Sequence, residues 1–332
     1  MRLSGLMKLK CLEILQNNLG GSNETGGGVQ AQNKILNIGY FADGIWSHNA
    51  FKIIANDPNM QICFICVRRG SDDKILAKFA ADYGIELFRD CDINSPEFLA
   101  MITKFNCDIF VSMSFDQIFK PQIIDLAPLG AINCHAGALP FYRGRNILNW
   151  ALINDEKSFG ITVHYIDKGI DTGDIILQRH YPISDNDDYN TLLEVAHTQC
   201  GVILHDALKM ILSGKFKPIK QSSIDKYGFY CSQRRNGDEM IKWNQSSREI
   251  FNFIRAITYP GPLARAVLNG KEMKIKQAIY HPNAPSYKCI NGAVVGLSQN
   301  GFWVKCSDKA LEIVEFEYDG KIKIGDRFEL CN

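Results

Sequence analysis

No charge of one sign predominates in this chain: 37 Lys and Arg stand against 36 Asp and Glu, a net charge of +1. A nucleic acid or an anionic membrane surface is normally met by a basic excess, so neither partner is implied. Long apolar runs are missing too, and no window approaches the roughly 20 residues of a membrane span. Lys8, Lys10 and Glu13 interrupt the apolar start of the chain, unlike a secretory leader. The first strand-like run leads into Ala42-Asp43-Gly44-Ile45-Trp46-Ser47 instead of GxGxxG, which argues against a dinucleotide-binding enzyme. The 7 histidines form no zinc-type cluster with cysteine, and no metal is expected. Asp185-Asn186-Asp187-Asp188 is not a calcium loop, because Asn190 and Ala196 stand where Gly and Glu are needed; it reads as the acidic start of a helix. No internal repeat is present.

Cysteine is not scarce, but 11 of them in a long chain without a leader point to a reduced, cytoplasmic protein. Cys63 and Cys66 lie three apart inside the apolar run Ile62–Val67. A strand's period of two turns them to opposite faces, so they read as small buried hydrophobes.

What is present is a rhythm. Ile35–Phe41, Ile62–Val67, Ile85–Phe88, Asp108–Met113 and Ala131–Cys134 are short apolar runs, separated by helical patterns over Ser47–Asn56, Asp72–Tyr83 and Ser95–Phe105. This alternation predicts an α/β fold with a doubly wound, mostly parallel, Rossmann-like sheet. A long helix runs from Tyr189 toward Gly214, which ends it. Residues 1–33, with Gly20-Gly21-Ser22 and Gly26-Gly27-Gly28, read as a flexible extension, and residues 34–215 as the catalytic domain. Residues 216–239 are polar and basic, a connecting segment. Residues 240–332 read as a small β-rich domain opened by a helix with Ser246 and Glu249 as a capping box. Asn269-Gly270, Asn291-Gly292, Asn300-Gly301 and Asp319-Gly320 punctuate it as hairpin signals.

The chemistry concentrates between Ala131 and Asp174. Asn133 and His135 are two apart and share one side of a strand end. A histidine is a base near neutral pH, and an Asn amide donates to a developing oxyanion. Asp171, between Gly169 and Gly173, arrives after the next strand, where it can orient the imidazole or relay a proton. With no nucleophilic Ser or Cys aimed at them, these three suit direct acyl transfer to an amine. Cys134 should point away.

Asn133-x-His135, Leu139-Pro140, Tyr142-Arg143-Gly144 and Asp171-Thr172-Gly173-Asp174 resemble, in order and spacing, the N10-formyltetrahydrofolate-dependent formyltransferases over roughly residues 34–215. That superfamily includes methionyl-tRNA formyltransferases, glycinamide ribonucleotide formyltransferases and sugar N-formyltransferases. The tRNA enzymes usually carry Ser-Leu-Leu-Pro after the histidine, whereas this chain has Ala136-Gly137-Ala138-Leu139-Pro140. The run through Asn154 is similar to bacterial enzymes that formylate nucleotide-linked amino sugars, as are Asp43–Asn49 and Ser112–Ile118. Arg234-Arg235, Asp238-Glu239 and Ile241-x-Trp243 resemble the C-terminal domain that tRNA and sugar enzymes share.

The resemblance implies formyl transfer from N10-formyltetrahydrofolate to a dTDP-linked 3- or 4-amino-dideoxyhexose, for surface glycan assembly, by a homodimer. It makes His135 the general base, Asn133 the donor to the formyl oxygen, and Asp171 the partner of His135 or of an ordered water and a helper in protonating N10 of the leaving folate. Met113, Phe115, Asp116, Gln117, Ile118, Leu139 and Asp167 become candidates for the folate slot. Trp46, Ser47, Tyr142, Arg143, Arg145, Asn146, Tyr230 and Arg234 become candidates for the nucleotide sugar. For the two arginines after Tyr142, a diphosphate and a structural salt bridge remain equal readings. A methionyl-tRNA formyltransferase and a non-catalytic folate or nucleotide-sugar binding protein are the alternatives.

Overall fold

The computed structural model describes residues 35–330, so the expected extension over residues 1–33 lies outside the described residues. The first half alternates strand and helix: β1 (Leu36–Ala42), α1 (Gly44–Ala55), β2 (Met60–Cys66), α2 (Lys74–Tyr83), β3 (Glu86–Phe88), α3 (Pro96–Thr103), β4 (Ile109–Met113), α4 (Pro121–Ile124) and β5 (Ala131–His135). After these come β6 (Arg143–Gly144), α5 (Ile147–Ile153), β7 (Ser158–Tyr165), β8 (Ile175–Pro182) and α6 (Tyr189–Ser213). Local chemistry sets the boundaries. Asp73 accepts from Ile75 N and Leu76 N to start α2, and Gly84 closes it at φ 66°. Ser95 accepts from Phe98 N ahead of Pro96, as the sequence predicts for α3.

Seven strands form one sheet in the order β3-β2-β1-β4-β5-β7-β8. Neighbours from β3 to β5 pair in parallel, while β7 runs antiparallel to β5. The strand order reverses between β1 and β4, and the carboxyl ends of strands beside such a reversal border a ligand crevice in α/β sheets. Phe41, fully buried, makes edge contacts with Phe64, Phe98, Phe110, Phe115 and Phe119 at centroid distances of 4.9–6.2 Å. Gly39 makes room for this cluster, since a Cβ there would stand 2.6 Å from both Phe64 and Phe110. The sheet is thereby stiffened just below the strand ends.

The second half holds α7 (Gln221–Ile224), β9 (Tyr230–Cys231), α8 (Ser247–Ile257), β10 (Ala264–Leu268), β11 (Lys271–Ile279), β12 (Val294–Leu297), β13 (Phe302–Lys305) and β14 (Ala310–Glu317). Five of these strands make an antiparallel sheet in the order β10-β11-β14-β13-β12. The capping box of Ser246 and Glu249 forms as the sequence predicts. Asn269-Gly270, both at positive φ, turns β10 into β11, and Asn300-Gly301 lies between β12 and β13. Asn291-Gly292 and Asp319-Gly320 instead lie before β12 and after β14, where Gly292 N bonds Lys305 O.

Two compact units result, and they interleave along the chain. One comprises the residues to Gly144, Gly160–His180 and Val195–Tyr230; the other comprises Arg145–Phe159, Tyr181–Glu194 and the residues from Cys231. No helix among the described residues is long and apolar enough to cross a membrane.

Candidate active site

Register builds the site. In the antiparallel pair of β5 and β7, Asn133 stands opposite His164 and His135 opposite Thr162. Directly opposed residues project to the same face, so two residues from each strand converge. Asn133 Nδ2 lies 3.4 Å from His164 Nε2. Cys134 falls on the other face, its thiol donating to Cys200 O.

The loop after β7 delivers Asp171 at φ 54°. This loop folds tightly onto Tyr165: Tyr165 N donates to Asp174 O at 3.0 Å, and a Cβ on Gly173 would collide with Tyr165 O. Asp171 is thereby set between two imidazoles. Its Oδ2 lies 3.7 Å from His135 Nδ1 and its Oδ1 3.6 Å from His164 Nε2. Gly144 N donates to Oδ2 at 2.9 Å. His135 Nε2 donates to Tyr142 O and His164 Nδ1 to Tyr165 O, both at 2.7 Å. A carbonyl only accepts, so these two nitrogens carry protons, and the remaining nitrogen of each ring turns toward the carboxylate.

His135 is 9% exposed and His164 is 2% exposed. Burial lowers the pKa of His135, against the opposing pull of Asp171 and the Tyr142 carbonyl, leaving it below the ordinary histidine value. Burial alone would raise Asp171, but His135, His164 and the Gly144 N–H outweigh it and hold the carboxyl well below the usual range. The pair therefore offers a neutral imidazole beside an ionised carboxylate at neutral pH. The turn after His135 closes over the ring. A Cβ at Gly137 would stand 2.5 Å from His135 Nε2, and Thr162 Oγ1 donates to Gly137 O at 2.6 Å.

The candidates from β4 to its following loop divide. Met113 is buried, and Phe115 packs on Phe41 and Phe119. Gln117 is committed to the neighbouring loop, accepting from Ile93 N and donating to Cys91 O. Asp116 and Ile118 are exposed. Leu139 is fully buried, its carbonyl accepting from Gln178. Asp167 is exposed and accepts from Gly169 N and Thr172 Oγ1.

Among the substrate candidates, Trp46 is half-buried edge-on against His197 at 4.6 Å. Ser47 is fully buried and its hydroxyl donates to Gly44 O, so it presents no surface to a ligand. Tyr142 enters through its carbonyl on His135, at φ 57°. Arg143 is buried and donates to Gln221 and Tyr227, with its guanidinium 5.4 Å from the ring centre of the exposed Tyr230. Arg145, Asn146 and Arg234 belong to the second unit. There Arg145 and Asn146 are exposed, and Asn146 Oδ1 accepts from Arg234 N. Arg234 Nη1 is buried with no hydrogen-bond partner among the described residues.

The residues that sequence reasoning missed are His164, Thr162 and Gln221. His164 shares the β7 period of two with Thr162 and Gly160, a signal that becomes legible only with the register against β5.

The family described as "Formyl transferase" matches residues 66–208, and "Formyl transferase, C-terminal domain" matches residues 235–327. The methionyl-tRNA formyltransferase of Clostridium novyi (strain NT) is 32% identical over 244 residues, 73% of this chain and 77% of that one. The bifunctional polymyxin resistance protein ArnA of Wigglesworthia glossinidia brevipalpis is 34% identical over 241 residues, 73% of this chain and 36% of that one. Among solved structures, WlaRD, a sugar 3N-formyl transferase in the presence of dTDP and 5-N-formyl-THF, has a TM-score of 0.61 at 23% identity, covering 84% of this chain and 97% of that one. The N-formyltransferase of Helicobacter canadensis in complex with folinic acid and dTDP-3-aminofucose has a TM-score of 0.60 at 21% identity, covering 84% and 99%. At these identities the two structures share the fold.

Proposed function

The chain belongs to the formyltransferase family, and we propose that it transfers a formyl group from N10-formyltetrahydrofolate to the amine of a nucleotide-linked amino sugar, of the dTDP-3- or 4-amino-dideoxyhexose type. The observation that carries the chemistry is the close grouping of Asn133 and Asp171 with the buried His135 and His164. An amide, a neutral imidazole and an ionised carboxylate fit a carbonyl carbon attacked by an amine. The folate supplies the formyl group when bound; the chain's residues do the rest. Asn133 donates to the formyl oxygen as charge builds there, a contribution of about 3–4 kcal/mol for one such donor. His135 takes the acceptor's proton on Nδ1, the nitrogen left with a lone pair once Nε2 donates to Tyr142 O, and the proton passes to N10, with the help of Asp171, as the formyl C–N10 bond breaks and tetrahydrofolate leaves. Asp171 stabilises the resulting imidazolium. Its 3.7 Å from Nδ1 exceeds a direct hydrogen bond, so the support it gives is Coulombic in a partly buried setting. Holding amine and formyl carbon together supplies several kcal/mol more.

The turn after His135 favours a sugar acceptor. Where tRNA enzymes carry Ser-Leu-Leu, this chain has Ala136-Gly137-Ala138, with Gly137 against the His135 ring and Ala138 against Gly160. A net charge of +1 also gives little general attraction for a polyanion such as tRNA. In this reading Trp46 and Tyr230 are the side chains of the first unit that remain for the nucleotide sugar, and the product serves surface glycan assembly.

The second reading, a methionyl-tRNA formyltransferase, is favoured by relatives such as that of Clostridium novyi. The deciding experiment supplies dTDP-3-amino-3,6-dideoxyglucose, dTDP-4-amino-4,6-dideoxyglucose and methionyl-tRNA in parallel. Turnover with a sugar supports the proposal, and turnover with tRNA alone selects the second reading.

A further inference from the structure

Gln221 opens α7, inside a segment whose composition reads as solvated, yet it is 3% exposed. Its carboxamide is used in full. Oε1 accepts from Arg143 Nε at 3.1 Å and Nη2 at 2.7 Å, while Nε2 donates to Asp171 O and Gly173 O, both at 2.8 Å. The residues either side of Arg143 touch the site directly: Tyr142 O accepts from His135, and Gly144 N donates to Asp171. One amide therefore joins the two loops that define where His135 and Asp171 stand. Both loops carry a non-glycine residue in the left-handed region, Tyr142 at φ 57° and Asp171 at φ 54°, a conformation that persists only where the surroundings hold it.

We propose that Gln221 is a positioning residue for formyl transfer, tying the Asp171 loop to Arg143 and so setting the carboxylate between His135 and His164. The proposal rests on the formyl-transfer reading of this site. Only a side chain that both accepts and donates can do this. Glu accepts from Arg143 but offers nothing to two carbonyls, and Leu fills the space without either contact.

The first test needs no substrate. The titratable groups facing His135 are Asp171 and His164, with Arg143 beyond Gln221, while Cys134 turns to Cys200. In 15N-histidine-labelled protein, Gln221→Leu frees the carboxylate that supports the His135 imidazolium. Its titration midpoint moves to lower pH by at least about half a unit. An unchanged midpoint overturns the proposal, even if the melting temperature falls.

The second test is a double-mutant cycle. Gln221→Leu lowers kcat about 10- to 100-fold, with both KM values within about threefold of wild type. In an Asp171→Asn background the same substitution costs threefold or less, because the group it positions is already gone. An equal loss in both backgrounds assigns Gln221 a general structural role and ends the proposal. Gln221→Glu, which keeps its bonds from Arg143, gives the same cycle should the leucine variant fail to fold. Wild-type protein inactive with every acceptor would defeat the functional reading while leaving the histidine titration readable.

Discussion

Asn133 and His164 face each other across β5 and β7, the amide nitrogen 3.4 Å from the Nε2 lone pair. In the neutral tautomer that donates from Nδ1 to Tyr165 O, Nε2 accepts from Asn133 Nδ2, a contact that fixes the side-chain amide. An oxyanion donor is useful only if it is already aimed. Asn133→Ala is expected to lower kcat about 100- to 1,000-fold. His164→Leu, which removes the orienting partner and leaves the amide in place, is expected to lower it less, about tenfold. Steady-state kinetics of the two single variants and the double variant check this, the double losing less than the product of the two single losses.

The pH dependence follows from His135 and Asp171. The base must be neutral, and burial holds its pKa below the ordinary value, so kcat/KM stays high through neutrality and falls as pH drops through that lowered pKa. Asp171 supports the protonated ring. Asp171→Asn therefore moves the acidic limb to still lower pH while reducing kcat, and a limb moved to higher pH would contradict the assignment.

Gly137 is a steric requirement of the site. A side chain there must displace His135 Nε2 or Tyr142 O, which stand 2.5 and 2.6 Å from the position of its Cβ. Gly137→Ser is expected to lower kcat at least about tenfold, through a broken His135–Tyr142 contact, with a small change in melting temperature. The His135 imidazole resonances give an independent readout.

Gly39 belongs to stability rather than chemistry. Gly39→Ala places a methyl group 2.6 Å from Phe64 and Phe110 in a filled core, an overpacking that costs about 1–3 kcal/mol. Denaturant unfolding measures it, and kcat of the folded fraction is expected to be unchanged.

Much of this architecture is legible in sequence because parallel strands buried on both faces read as continuous apolar runs. The runs at 35–41 and 131–134 become strands shifted by a residue or so. Asn133 and His135 are legible for a similarly local reason, a period of two at a strand end. His164 is not, because its place beside Asn133 depends on how β7 registers against β5, which no local pattern encodes. Gln221 is hidden for a related reason. A polar stretch reads as solvated, and only the partners brought by Arg143 and the Asp171 loop make it buried. Arg143 shows the limit of reading a guanidinium from sequence, since its fork suits a diphosphate or an amide oxygen equally, and here it holds the amide.

The most direct test of the account is release of tetrahydrofolate from N10-formyltetrahydrofolate by wild type and His135→Ala, each with and without a dTDP-amino sugar. Release is expected to require the sugar, to yield its N-formyl product, and to fall at least about 100-fold in the variant. Release as fast without the sugar, or as fast in His135→Ala, would contradict it.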